Sequence, residues 1–95
     1  DLEKIADYIT FIHNGRLILS AMKDDLRYNY GVMRCSEKQF QALNQEDVMA
    51  YLKRDYQIDV LLSDSKAAQR KYRDAVIDHV SIDEIMLLLI KGERI

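Results

Sequence analysis

The residues able to do chemistry in this 95-residue chain are few and far apart. His13, Cys35 and His79 are each separated by more than twenty positions, whereas a zinc site gathers its ligands in short Cys/His steps. They read instead as a histidine beside a turn, a cysteine in a strand and a histidine in a loop. Ser63, Ser65 and Ser81 fall where helices or turns begin, the ordinary place of a capping hydroxyl, and no Gly-x-Ser-x-Gly elbow surrounds any of them. Gly15, Gly31 and Gly92 stand alone, so no glycine loop is present to cradle a phosphate. The acid pairs Asp24-Asp25 and Asp83-Glu84 diverge by about 100° on a helix and do not converge on one substrate atom. Their natural role is to face the positive end of a helix.

Positive charge is no more diagnostic. Lys66, Arg70 and Arg73 fall on one face of an expected helix, with Lys71 beside them. Such a face is either solvated or a contact for phosphate or anionic lipid, and the second case requires binding that weakens steeply with salt. The net charge of −2 divides evenly between residues 1–31 and the remainder, so nucleic acid is not an expected partner. Of six tyrosines, Tyr28 and Tyr30 flank a helix end and are expected to anchor packing. Residue types and spacing therefore supply no catalytic residue, no cofactor-binding residue and no metal ligand set.

The elements that carry these residues are clearer. A hydrophobic content of 48% with 32% charged residues suits a small globular chain. The longest apolar run, Ile85 to Ile90, is far short of the roughly 20 residues that span a bilayer. No signal peptide is evident, and a single cysteine suits a reducing compartment. Leu2, Ile5, Ala6 and Ile9 follow helical spacing. The period then changes to two, with Ile9, Phe11 and His13 on one side and Tyr8, Thr10 and Ile12 on the other. Asn14-Gly15 marks a two-residue turn, because a type I′ hairpin needs positive φ at both central positions. Arg16 to Ser20 is the returning strand. Lys23 to Asn29 is expected to be a short helix stopped at Gly31 by a left-handed glycine.

From Val32 the expected order is β-α-α-β-α-β-α. It comprises a strand Val32 to Cys35, a helix opened by the Ser36/Gln39 capping box and running to about Leu43, and a second helix capped at Asn44 and carrying Val48, Tyr51 and Leu52. A buried strand Ile58 to Leu62, a helix Ser65 to Tyr72, a strand Ala75 to Asp78 and a helix opened by Ser81 and Glu84 and stopped at Gly92 complete it. In the last helix Ile82, Ile85, Met86, Leu89 and Ile90 form the core stripe, and Leu87 and Leu88 lie outside it. The fold class is α+β, an α/β sandwich of helices against a sheet.

The opening segment DLEKIADYITFIHNGRLILS resembles the stretch that follows the switch histidine in ATP-binding subunits of ABC transporters. Ala6-Asp7, the apolar strand Tyr8 to Ile12, Gly15, Arg16 and the apolar strand Leu17 to Leu19 carry the resemblance. KDDLRYNYG and the ending IDEIMLLLIKGE extend it to the bacterial drug- or antibiotic-exporter type with a C-terminal extension. The resemblance implies that residues 1–31 are a remnant of the ATP-binding domain (helix, β-hairpin and linker helix) and residues 32–95 an accessory domain. It further implies that the ATP-binding loop, glutamine loop, signature motif, Walker B strand and switch histidine lie upstream of the position matching Asp1. His13 matches the end of a hairpin strand and is not the switch histidine. The parent would bind ATP and Mg, hydrolyse ATP, and work with a transmembrane permease subunit and a second ATP-binding subunit at the inner face of the cell membrane. This segment would have a regulatory or interaction role.

Parted from its sheet, such a hairpin would expose an apolar face at Ile9, Phe11, Ile18 and Leu19. Self-association through that face, or through Leu87 and Leu88, is expected. Two alternatives stand beside this reading. One is a free-standing ligand-sensing or dimerising module with an amino acid or other small molecule at a dimer interface, and the other is a basic-helix nucleic-acid or anionic-lipid binder whose salt-sensitive binding depends on Lys66, Arg70 and Arg73.

Overall fold

A computed structural model describes residues Tyr8–Glu93. The helical spacing at Leu2, Ile5 and Ala6 lies outside them. Strands β1 (Tyr8–His13) and β2 (Arg16–Met22) form the expected hairpin. Its turn has Asn14 at φ 52° and Gly15 at φ 75°, the conformation for which Asn-Gly is suited. The alternation also holds: Phe11 is buried and Ile9 half-buried, whereas Tyr8, Thr10 and Ile12 face outward. One irregularity disturbs the pairing. Phe11 opposes Leu19 but Ile12 opposes Leu17, so Ile18 is a bulge residue without a cross-strand partner. The bulge leaves both Ile18 and Leu19 half-buried against the same core.

Helix α1 (Lys23–Tyr28) follows directly and buries Leu26. Gly31 is not the left-handed helix stop that the sequence suggests; it is the first residue of β3 (Gly31–Cys35). A glycine is required there by proximity. A Cβ at Gly31 would lie 2.7 Å from the Ser65 Cβ and 3.2 Å from Ile77 Cγ2, and the Ser65 N–H donates to the Asn29 carbonyl at 2.7 Å.

After β3, helix α2 (Glu37–Gln41) opens with both bonds of its capping box. The Ser36 hydroxyl accepts from the Gln39 N–H at 3.1 Å, and the Gln39 side chain accepts from the Ser36 N–H at 2.8 Å. The second expected helix is absent from the described residues. In its place are a 3₁₀ turn (Gln45–Asp47) and strand β4 (Ala50–Lys53), which pairs antiparallel with β5 (Ile58–Leu62). Four residues are too few for a hydrophobic period to separate helix from strand. The connecting turn, in which the Arg54 N–H donates to the Gln57 carbonyl at 2.8 Å, contains neither glycine nor asparagine to announce it. Helix α3 (Ser65–Lys71), strand β6 (Val76–His79) and helix α4 (Ile82–Lys91) follow.

The main sheet has the order β4-β5-β3-β6 with every neighbour antiparallel. Residues 31–79 thus run β-α-β-β-α-β with the two central strands first and third in chain order, the ferredoxin-like split arrangement. The fold class is α+β as expected. Two cores flank the sheet. On one side Met33, Cys35, Ile58, Val60 and Leu62 pack with Ala68 of α3 and with Phe40 and Leu43 from α2 and the residues after it. On the other, Val32, Ala50 and Leu61 share a cluster with Ile85, Leu88 and Leu89 of α4, Leu26 of α1 and Phe11 of β1. Hairpin, linker helix and last helix therefore form one layer over the open face of the sheet.

That layer corrects the expected stripe on α4. Ile85, Leu88 and Leu89 are the buried residues, and Leu88 is at its centre because α4 is covered by the sheet on one side and by α1 and the hairpin on another. The chain wraps this helix itself. Beyond it, Glu93 pairs with Tyr51 (2.7 and 2.8 Å), covering part of the β4 edge.

Candidate functional site: the hairpin face and the ionic cluster

The six residues expected at an interface are not equivalent in the fold. Phe11 and Leu88 are buried in the core beneath the hairpin, and Ile9, Ile18 and Leu19 are half-buried against it. Leu87 alone of the six is exposed, at 39%. The hairpin face named from sequence is thus turned inward, because Leu26, α4 and the open side of the sheet supply the cover that an isolated hairpin would lack. The outer face is the opposite one. It carries the cross-strand pairs Tyr8/Met22 and Ile12/Leu17, all at least half exposed, with Thr10 and Ser20 hydroxyls 3.2 Å apart between them. Among the described residues neither β1 nor β2 has a backbone partner along its outer edge.

The largest polar constellation was not foreseen. Asp59, in the middle of the otherwise apolar β5, is 1% exposed. Its carboxylate accepts from Arg54 Nε at 2.6 Å and Gln57 Nε2 at 2.7 Å, and lies 3.1 Å from an Arg34 guanidinium nitrogen. Arg34 of β3 also donates to Asp78 of β6 and to Glu84 in the first turn of α4, each at 3.1 Å. One guanidinium therefore ties three strands and a helix together. Glu84 is diverted from a full capping box by this contact, and only the Ser81 hydroxyl half remains. The signal lay in the sequence: an arginine and an aspartate each sat inside a short buried strand, where an unpaired charge is untenable.

Burial opposes the charge on both groups, yet the hydrogen bonds win. Asp59 is pushed upward by desolvation, but Arg54, Arg34 and Gln57 hold it below the usual carboxylate range. Arg34 is likewise depressed by burial and raised overall by Asp78, Glu84 and Asp59. Asp47 is lowered by hydrogen bonds from Lys71 at 2.8 Å and the Tyr72 hydroxyl at 2.6 Å. A carboxylate held low in the folded state stabilises fully above its unfolded value of about 3.9 and loses that contribution as pH falls through the lower folded value. The urea midpoint should therefore be nearly flat above about pH 5 and fall below about pH 4. Asp59→Asn should flatten that acid limb, and an unchanged limb in this variant would show that the cluster is not its source.

The remaining candidates are structural. His13 pairs with Arg16 at the hairpin end, and His79 closes β6 opposite Gly31. The Cys35 thiol is buried and pushed up to about 11, first by desolvation and then by Asp59, which keeps it protonated and unreactive at neutral pH. The expected basic face is divided. Arg73 lies past the end of α3 at Tyr72, and Lys71 is paired with Asp47, leaving Lys66 and Arg70 on the helix. Tyr30 is buried as an anchor, but Tyr28 is 60% exposed beneath the Arg27 guanidinium. No group of three or more potential metal ligands occurs, and no helix is long and apolar enough to cross a membrane, among the described residues. No family model, curated protein or solved structure matches the chain.

Proposed function

We propose that this chain is the C-terminal part of an ATP-binding subunit of an ABC transporter, of the bacterial exporter type with a C-terminal extension. Its own residues do no ATP chemistry; the parent would couple ATP hydrolysis, with Mg, to export through a transmembrane permease subunit at the inner face of the membrane. The observation that carries this reading is the hairpin. Its two outer edges lack backbone partners among the described residues, and its outer face exposes Tyr8, Ile12, Leu17 and Met22. Open edges beside an exposed apolar face are what a strand pair has where it extends a larger sheet. The resemblance of residues 1–31 to the segment after the switch histidine supplies the identity of that sheet. Residues from 32 onward then act as a regulatory or interaction module, one face of whose sheet is covered in part by Phe11 and Leu26 of the preceding residues.

The test is the product of the native gene. Its coding sequence should place a phosphate-binding loop and a signature motif before Asp1. The full product should hydrolyse ATP in a reaction abolished by substitution of the phosphate-loop lysine, while residues 1–95 should hydrolyse none. A reading frame that starts at or immediately before Asp1 would overturn the proposal.

A further inference from the structure

The sheet face opposite α4 carries a cleft that none of these roles uses. It lies between α2 and the turn after α3, and its volume is about 200 Å³. Met33, Ala42, Leu43 and Ala75 give it apolar walls, and Gln39, Tyr72 and the exposed Arg73 and Asp74 complete the lining. Drug-sized ligands occupy about 300–1,000 Å³, so this cleft is suited to something smaller.

Two features separate it from an ordinary surface dent. First, the turn that bears the two charges is fixed from behind. The Gln69 side-chain amide donates to the Tyr72 and Ala75 carbonyls at 3.3 and 3.1 Å. The Tyr72 hydroxyl donates to Asp47 at 2.6 Å and accepts from the Asn44 N–H at 3.0 Å. Residues 72–75 are therefore held against the segment after α2 and do not depend on a ligand for their shape, which lowers the ordering cost of binding. Second, the charges are uncommitted. Lys71, two positions earlier, is paired with Asp47, whereas neither Arg73 nor Asp74 has an ion pair or side-chain hydrogen bond among the described residues. A cation and an anion, side by side at the mouth of an apolar cleft, match a ligand with one carboxylate, one ammonium and a short hydrocarbon chain.

We propose that this cleft binds an aliphatic α-amino acid, with its carboxylate at Arg73, its ammonium at Asp74 and its side chain between Met33 and Leu43. The site is complete within residues 33–75, so the inference does not depend on the transporter reading and can fail or succeed separately from it.

Calorimetric titration of the 95-residue chain with L-leucine should give saturable binding. Leucinamide, which lacks the carboxylate, and 4-methylpentanoate, which lacks the ammonium, should each bind about tenfold or more weaker. Arg73→Ala should weaken leucine to a similar degree without moving the unfolding midpoint of the ligand-free chain, since Arg73 is exposed. Absence of saturable binding to about 10 mM leucine, isoleucine or valine by chain that unfolds cooperatively would overturn the proposal. So would equal binding of leucine and its two truncated analogues, or leucine binding that Arg73→Ala leaves intact.

Discussion

Replacing Arg34 with methionine should lower the free energy of unfolding by about 3 kcal/mol, near the low end of the cost of stranding a buried charge. The low end applies because Asp59 keeps Arg54 and Gln57 when Arg34 is lost. Asp78 and Glu84 lose a shared partner too, but both carboxylates reach solvent and are the lesser part of the loss. The informative comparison is the pair. Arg34→Met combined with Asp59→Leu removes both members of the 3.1 Å contact and replaces them with apolar groups on neighbouring strands. The double variant should be more stable than the Arg34→Met single variant, because the fully buried carboxylate of Asp59 is gone. Urea unfolding of the two singles and the double, read as a cycle, measures this. Additive losses would mean that Arg34 and Asp59 contribute independently and that the contact is not coupled.

The second large effect separates two adjacent leucines. Leu88 is fully buried at the junction of sheet, α1 and α4, and Leu88→Ala should cost about 2–5 kcal/mol through lost burial and the cavity left behind. Leu87 is 39% exposed, and Leu87→Ala should change stability by about 0.5 kcal/mol or less. Comparable losses at both positions in denaturant melts would mean that α4 is covered on its outer side as well, by a second copy or a partner.

What could be read from the residues, and what could not, follows the length and isolation of each signal. The hairpin was legible because Asn14-Gly15 and the alternation on both sides of it agree. Helices α2 and α4 were legible because Ser36 and Ser81 cap them at a fixed spacing from Gln39 and Glu84. Strand β4 was not legible, since Tyr51 and Leu52 fit either period and the turn at Arg54–Gln57 uses no special backbone conformation. With β4 read as a helix, the β-α-β-β-α-β order was hidden. Gly31 marks a boundary that the sequence shows, but its cause, the close approach of Ser65, is a tertiary fact that no local pattern contains. The interface residues fared similarly. A list of apolar positions does not say which face of a hairpin its own chain will cover, and the answer depended on where α4 returned. The cleft beside Arg73 depended on α2 and the α3 turn meeting across more than thirty residues, again beyond local pattern.

The bridge between Glu93 and Tyr51 gives the four-stranded sheet unequal margins. One flank is partly covered by the single bridge from Glu93, while the β6 flank, where Val76 is 58% exposed, has no strand beyond it among the described residues. Sheets that join by their flanks continue into fibres only when both are free. Two copies meeting β6 to β6 would make an eight-stranded platform with Glu93 bridged to β4 at each extremity, which disfavours growth beyond a two-fold pair by this route.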